Sequence, residues 1–256
     1  MVFKVDAACG SFIGNRRNDN EDNFYFNGKH LPPKNKGLIN PIKYSSTTSK
    51  IGIFAVFDGM GGGVNGAGAS LKASEVFAEE HKRLDEIALS GKEFMITACQ
   101  MANDVINELS AKRQARTMGT TVAALYLSQD EVVACNMGDS KIFRIRDNQM
   151  MQISKDHTDE RILLAMGIRK KPVLLQYLGV PDAEMAIKPF VVKGDIQDED
   201  VFVLCSDGVT DAIRPEEIYN LIKEREVDEA VNMIIAEVNK RDGADNATII
   251  VAKLTA

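Results

Sequence analysis

Ile51-Gly-Ile-Phe-Ala-Val-Phe57 runs directly into Asp58-Gly59-Met60-Gly61-Gly62, and this junction of an apolar run, a carboxylate and a glycine cluster organises the reading of the chain. The apolar run reads as a buried strand. Gly59 lets the backbone turn away, which leaves Asp58 at a strand tip where it is well placed to hold a hard cation. The construction recurs where Val201-Phe-Val-Leu-Cys205 meets Ser206-Asp207-Gly208, and Asp245-Asn246 opens the run Ala247-Thr-Ile-Ile-Val-Ala252. Three strand-tip carboxylates converge on one site only if their strands lie side by side in a folded core. The pattern points to a metal-dependent hydrolase.

Bulk properties agree. A chain of 256 residues with 45% hydrophobic content can bury a substantial core. A formal net charge of −6 leaves no basic excess to neutralise phosphates, which argues against nucleic-acid binding. The short cluster Arg169-Lys170-Lys171 reads as loop charge. Cys9, Cys99, Cys135 and Cys205 are scattered without a CxxC and read as structural free thiols in a reducing compartment. No apolar stretch approaches the roughly 18–20 residues needed to cross a bilayer. Ala7-Ala8-Cys9 lacks the apolar signal core that a cleavage site requires, so a cytoplasmic protein without membrane attachment is expected.

Periodicity divides the chain into segments. Residues 2–12 and 22–27 alternate as short strands do, while residues 28–50, rich in Pro, Lys, Ser and Thr, read as an exposed loop insertion. Helices are predicted over Ala67–Leu84 and Lys92–Lys112, the second from Phe94, Ala98, Met101, Val105 and Leu109 at spacings of three and four. Strands follow at Thr120–Leu127, Glu131–Met137, Lys141–Arg146 and Gln149–Ile153, then a short helix at Asp159–Met166. Strands at Glu184–Val192 and Asp200–Cys205, helices near Pro215–Lys223 and Val227–Lys240, and a strand at Ala247–Leu254 complete the order. Helix pairs and runs of strands, rather than strict βαβ alternation, indicate an α+β protein of antiparallel sheets covered by helices. No repeat or long linker divides residues 1–256, which read as one domain.

The glycines invite a rival reading. Gly61-x-Gly63-x-x-Gly66 matches a dinucleotide-binding fingerprint, with Glu80 near the ribose position. However, Asp58 at the strand tip would repel a pyrophosphate, and the downstream run of strands breaks the βαβ order.

Arg17-Asn18-Asp19-Asn20-Glu21-Asp22-Asn23 adds two carboxylates and a planar guanidinium suited to phosphate oxygens. With this segment the chain strongly resembles the PPM family of metal-dependent, protein phosphatase 2C-like serine/threonine phosphatases, of bacterial type. Arg17-x-x-Asn20-Glu21-Asp22 and Asp58-Gly59-Met60-Gly61-Gly62 resemble its first two motifs. Met118-Gly119-Thr120-Thr121 and Met137-Gly138-Asp139-Ser140 resemble the middle ones. Asp156-His157, Ser206-Asp207-Gly208 and Asp245-Asn246-Ala247-Thr248 complete the set, in the family's order and over nearly the whole length.

The resemblance implies a four-layer α-β-β-α sandwich, with two central, mostly antiparallel sheets flanked by helix pairs. It implies that Asp58 bridges two ions and that Glu21 and the Gly59 carbonyl complete the ligands of one. Asp207 and Asp245 would hold the other, and Asp139 with Asp207 a weaker third. Asp22 would stand behind the ligands and orient water, and Arg17 would grip the substrate phosphate. An all-oxygen donor set suits Mn²⁺ or Mg²⁺, and a water bridging the two ions would attack phosphorus directly. Met60 stands where eukaryotic relatives often carry a His, so the leaving alkoxide would take its proton from water or another group. His157 reads equally as structural. Residues 157–181 correspond to the family's flap, where Tyr177 packs either on substrate or in the flap's own core. The implied partners are phosphoproteins, including a cognate serine/threonine kinase, acted on by a monomer. Two alternatives are a member that binds phosphoproteins without turnover and an anti-sigma-antagonist phosphatase in a partner-switching pathway.

Overall fold

The chain opens with strands β1 (Lys4–Phe12), β2 (Asn23–Phe26), β3 (Ile42–Thr47), β4 (Gly52–Phe57) and the two-residue β5 (Gly59–Met60). The computed structural model describes residues 1–84, 89–115, 117–181 and 183–256. Helices α1 (Val64–Arg83) and α2 (Gly91–Arg113) precede β6 (Gly119–Thr120), β7 (Val122–Leu127), β8 (Val132–Met137), β9 (Lys141–Arg146) and β10 (Gln149–Gln152). The remaining elements are α3 (Glu160–Ala165), β11 (Phe190–Gly194), β12 (Val201–Cys205), α4 (Asp207–Thr210), α5 (Pro215–Ile222), α6 (Val227–Lys240) and β13 (Ala247–Thr255).

Two large sheets form, one ordered β10-β9-β12-β13-β1-β3 and the other β11-β8-β7-β4-β2. Every pairing among the described strands is antiparallel. A dinucleotide fold needs parallel strands joined by crossover helices, so the fingerprint reading fails. Its acidic member, Glu80, is buried in α1 and paired with Arg83 at 2.7 Å.

Strand periodicity builds the layers, because successive side chains point to opposite faces. In β4, Ile53, Ala55 and Phe57 pack with Ala69, Phe77 and Phe94 of α1 and α2. Phe54 and Val56 point the other way, into a core shared with Phe202, Leu204, Ile250 and Ala252 of the opposite sheet. On the far side of that sheet Val203, Cys205, Ile249 and Val251 meet Ile218, Val231 and Ile234 of α5 and α6. Strands covered on both faces read as unbroken apolar runs, which is why β4, β12 and β13 stand out in the sequence. The result is the four-layer α-β-β-α sandwich. All four cysteines are buried free thiols.

Three expectations need correction. Residues 28–50 are not all loop. Ile42–Thr47 forms an edge strand on β1 with alternately half-buried and exposed residues, and its Lys/Ser/Thr-rich solvent face hid the alternation. The strand expected over Glu184–Val192 begins only at Phe190, since the preceding residues find no partner strand among the described residues. The strands bearing the three carboxylates do not all lie side by side. β12 and β13 are paired in one sheet, but β4 lies in the other, and the tips meet across the sandwich.

The segment of residues 157–181 is fastened to this frame near its end by the buried Asn103, beside which the Asn107 side chain donates to the Val180 carbonyl at 2.8 Å. Asn103 of α2 accepts hydrogen bonds from the Gly179 and Val180 amides at 2.8 and 3.1 Å and donates to the Val180 carbonyl at 3.2 Å. Leu178 exchanges two backbone bonds of 2.9 Å with Thr120. Asn103→Ala strands two buried N–H groups, each costing about 1–3 kcal/mol. The unfolding free energy should therefore fall by about 2–4 kcal/mol, read as a lower denaturation midpoint at unchanged m-value, and a loss below about 1 kcal/mol would contradict this fastening role.

Candidate active site

Asp58 leaves the tip of β4, and its own backbone is clamped by the middle of the chain. Thr121 Oγ1 accepts from the Asp58 amide at 3.1 Å, and Thr120 Oγ1 and the Thr121 amide both donate to the Asp58 carbonyl at 2.9 Å. Ser140, beside Asp139, shares a 2.6 Å hydroxyl contact with Thr121. The two middle motifs thus fix the strand tip.

Asp207 begins α4, and the serine before it reaches backwards. Ser206 Oγ donates to Asp22 Oδ2 at 2.8 Å and accepts from the Thr248 amide at 2.9 Å. Asn246 then ties the last motif to the first. Its side chain accepts from the Glu21 amide at 2.8 Å and donates to the carbonyls of Ile13 and Asp19 at 2.6 and 3.1 Å. Glu21 Oε1 accepts from the Gly63 amide at 2.7 Å, and its other oxygen lies 1.8 Å from where a Cβ on Gly66 would stand. Only glycine leaves room for that carboxylate.

Together these elements enclose a cavity of about 250 Å³ lined by Glu21, Asp58, Asp139, Asp207 and Asp245. Gly59, Met60 and Arg17 also face it. Asp22 is fully buried and does not line the cavity; its Oδ1 has no hydrogen-bond partner. Arg17 donates to Asp245 at 2.6 Å, while Arg16 turns outward to Asp242, with Nε 3.1 Å from Oδ1. Lys171 also reaches in, 3.4 Å from Asp207 and 3.9 Å from Asp211. Reading it as loop charge missed it, and its place inside the flap was the available signal.

His157 stands apart from the cavity, its amide bonded to the Gly138 carbonyl at 2.9 Å and its Nδ1 without a partner. Burial lowers its pKa. Tyr177 lies half-buried over Gly119.

Burial governs the electrostatics, and the crowding of like charges adds to it. Burial, then Asp22, Asp207 and Asp139, push the Asp58 carboxyl well up. Burial raises Asp22 to about 7 against the opposing hydrogen bonds of Thr248 and Ser206. Burial and Asp207 raise Asp139 to about 6, and burial raises Glu21.

The donor set fits hard divalent cations. No Cys or His lines the cavity, its carboxylates outnumber its two protein cations, and one buried carboxylate oxygen lacks a partner. Among the described residues no three acidic, His or Cys side chains stand close enough together to share one ion; Arg17 and Lys171 lean on Asp245 and Asp207. The fit lies in the donors' chemistry rather than in a ready-made ligand sphere.

Known proteins match the whole frame. The family model described as protein phosphatase 2C matches residues 42–236, leaving Arg17 to Asp22 and Asp245 outside the matched span. A serine/threonine phosphatase, stp, of Listeria innocua is 29% identical over 215 residues, spanning 78% of this chain and 84% of that protein. The crystal structure of the Mycobacterium tuberculosis phosphatase PstP superposes with a TM-score of 0.79 at 23% identity, over 99% of this chain and 100% of that one. A structure of the PstP catalytic domain in complex with two manganese ions gives a TM-score of 0.76 at 24% identity and full coverage of both chains. These likenesses establish the fold.

The raised carboxyls set the sign of the pH dependence without metal. Asp22 holds its proton to about 7 when folded, against an ordinary value of 3.8, so the folded state binds more protons than the unfolded one between those values. Stability contributed by the protonated form is full below about 3.8 and is lost as pH rises through about 7. Asp139 acts in the same direction up to about 6. The Tm of the metal-free protein should fall by on the order of 5 °C from pH 5 to pH 7. Mn²⁺ should cancel the fall and release protons on binding. A metal-free Tm that climbs across this interval would contradict the assignment.

Proposed function

The chain belongs to the protein phosphatase 2C family, and we propose that it hydrolyses phosphoserine and phosphothreonine in proteins at the carboxylate-lined cavity between the two sheets. It is a metal-dependent serine/threonine phosphatase of bacterial PPM type. The observation that carries the residue assignments is the convergence of Glu21, Asp58, Asp139, Asp207 and Asp245 on one cavity of about 250 Å³ with Arg17 at its rim.

Asp58, Glu21 and the Gly59 carbonyl would hold one ion, Asp207 and Asp245 a second, and Asp139 with Asp207 a weaker third. Two divalent cations supply a nucleophile at neutral pH and the positive charge that offsets a phosphate dianion. The chain's own groups do the rest. Arg17 spends one amine on Asp245, which leaves donors of its planar fork for phosphate oxygens. Asp22 keeps a free acceptor oxygen behind the cluster, available to hold a water by its proton. Water adds to phosphorus as the ester P–O bond breaks, and a proton passes to the departing serine or threonine oxygen. Met60 at the cavity has no proton to give.

Mn²⁺ or Mg²⁺ both suit oxygen donors. A protein serine/threonine kinase is the class of enzyme that must supply these substrates, and we assign the phosphatase to the same compartment as that kinase, the cytoplasm, acting as a monomer. No helix among the described residues is long and apolar enough to cross a membrane. The full set of carboxylates favours turnover over mere binding of phosphoproteins.

The test is hydrolysis of a phosphothreonine peptide with and without Mn²⁺. Removing partners that merely orient ligands costs about 10–100-fold, so Asp58→Asn should cost at least about 100-fold in kcat. Asp139→Ala should leave two ions bound but slow turnover. Arg17→Ala should raise KM for a small aryl phosphate about 10- to 100-fold, as expected for a hydrogen bond between charged groups, with Arg16→Ala nearly silent. Near-normal turnover by Asp58→Asn would sink the bridging assignment, and a KM defect in Arg16→Ala alone would move the phosphate contact one residue along the chain.

A further inference from the structure

A second and larger cavity, about 700 Å³, opens on the other side of the loop that walls the catalytic one. Arg17 and Glu21 face the catalytic cavity, while Asn18, Asp19 and Asn20 face the second. At one point the wall is the 2.7 Å bond from the Gly63 amide to Glu21. Three cations, Lys34, Lys36 and Arg113, surround the second cavity against one carboxylate, Asp19, with Val64 and Leu71 supplying apolar surface. In a chain of net charge −6 this is a local excess of positive charge. Lys34 and Lys36 are exposed and have no acidic partner within 4.0 Å among the described residues; Arg113 donates at 2.7 Å to the Val64 carbonyl, a neutral group.

The lysines do not hang on a loose loop. Asn35, between them, accepts from Asn20 at 2.9 Å and from the Gly37 amide at 3.0 Å, and donates to the Pro32 carbonyl at 3.0 Å. Leu38 donates to the Ser11 carbonyl at 2.8 Å, and a Cβ on Gly37 would stand 2.2 Å from that oxygen. Asn20 also donates to Ser11 Oγ at 3.2 Å. The lysine-bearing turn is therefore hydrogen-bonded to the loop that carries Arg17 and Glu21.

We propose that this second cavity is a substrate subsite that takes an acidic side chain of the phosphoprotein, two to four residues from the phosphorylated one. The proposal rests on the phosphatase reading above and adds the flanking chemistry that the enzyme selects. Two to four residues of extended chain reach about 7–13 Å, enough to cross one loop. Lys34, Lys36 and Arg113 meet the carboxylate, and Val64 and Leu71 cover the neighbouring stem. The turn at residues 33–36 is then a specificity device rather than a passive insertion.

The full chain with Mn²⁺ should be assayed on phosphothreonine peptides in which one Glu is moved through each position of an alanine background. A small aryl phosphate serves as the flank-free substrate. Glu at one or two positions should raise kcat/KM about two- to fivefold, the range of a partly exposed charge pair. Lys34→Ser with Lys36→Ser should erase that gain and leave aryl phosphate hydrolysis unchanged. Lys34→Glu with Lys36→Glu should shift the preference to Lys at the same positions. An equal gain from Glu at every position means general attraction and overturns the subsite, as does a gain that survives in the serine variant. Absence of all hydrolysis by the unsubstituted chain with Mn²⁺, aryl phosphate included, would instead sink the phosphatase reading and the subsite with it.

Discussion

Six carboxylates, Glu21, Asp22, Asp58, Asp139, Asp207 and Asp245, are gathered at one rim of a sandwich built on three large apolar clusters. Like charges at this spacing repel, and burial removes the water that would screen them. The rest of the architecture answers that constraint. Most of the fixed contacts are neutral: amides of Gly63 and Asn246 hold Glu21 and Asp245, and the Ser206 hydroxyl holds Asp22. Neutral donors orient a carboxylate without consuming its charge, so the cluster keeps its attraction for divalent cations. Arg17 and Lys171, the two cations that do touch it, are 47% and 69% exposed and come from a loop and the flap. Both can yield their places without disturbing the core.

Close approach is the second requirement, and it is met by absence of side chains. Cβ atoms on Gly59 and Gly208 would stand 2.3 Å from the Gly66 carbonyl oxygen and 2.0 Å from that of Asn246. The contacts are with backbone, which cannot swing away. Glycine in these motifs therefore serves space. A motif of glycines after a strand has more than one physical cause, and the carboxylate preceding this one is what separated it from a pyrophosphate cradle.

Much of this was legible in the sequence for a reason specific to four-layer folds. β4, β12 and β13 are covered on both faces, so each reads as a largely apolar run with a marked carboxylate beside it, after β4 and β12 and before β13. Edge elements were not legible in the same way. Ile42–Thr47 hides its alternation behind a Lys/Ser/Thr face, and the segment before Phe190 is extended in pattern yet unpaired among the described residues. Convergence from two facing sheets could not be read at all, because strand order is set by contacts between residues distant in sequence. Lys171 was only partly legible for a related reason. Nothing in Arg169-Lys170-Lys171 says which cation turns inward, and that depends on how the flap folds back through the paired backbone bonds of Leu178 and Thr120.

The loop of residues 13–22 has no regular structure of its own, yet it carries Arg17, Glu21 and Asp22. Its position is set from both sides by amide side chains. Asn246 holds it from the last strand through the Ile13 and Asp19 carbonyls and the Glu21 amide, and Asn20 holds it to Ser11 and Asn35. One face of this loop walls the carboxylate cavity and the other walls the basic one. Both faces of this wall rest on the same few hydrogen bonds. Asn18, Asp19 and Asn20 face the basic cavity from the same loop that carries Arg17 and Glu21 to the catalytic one, so the proposed flank recognition and the phosphate positioning draw on a single structural part.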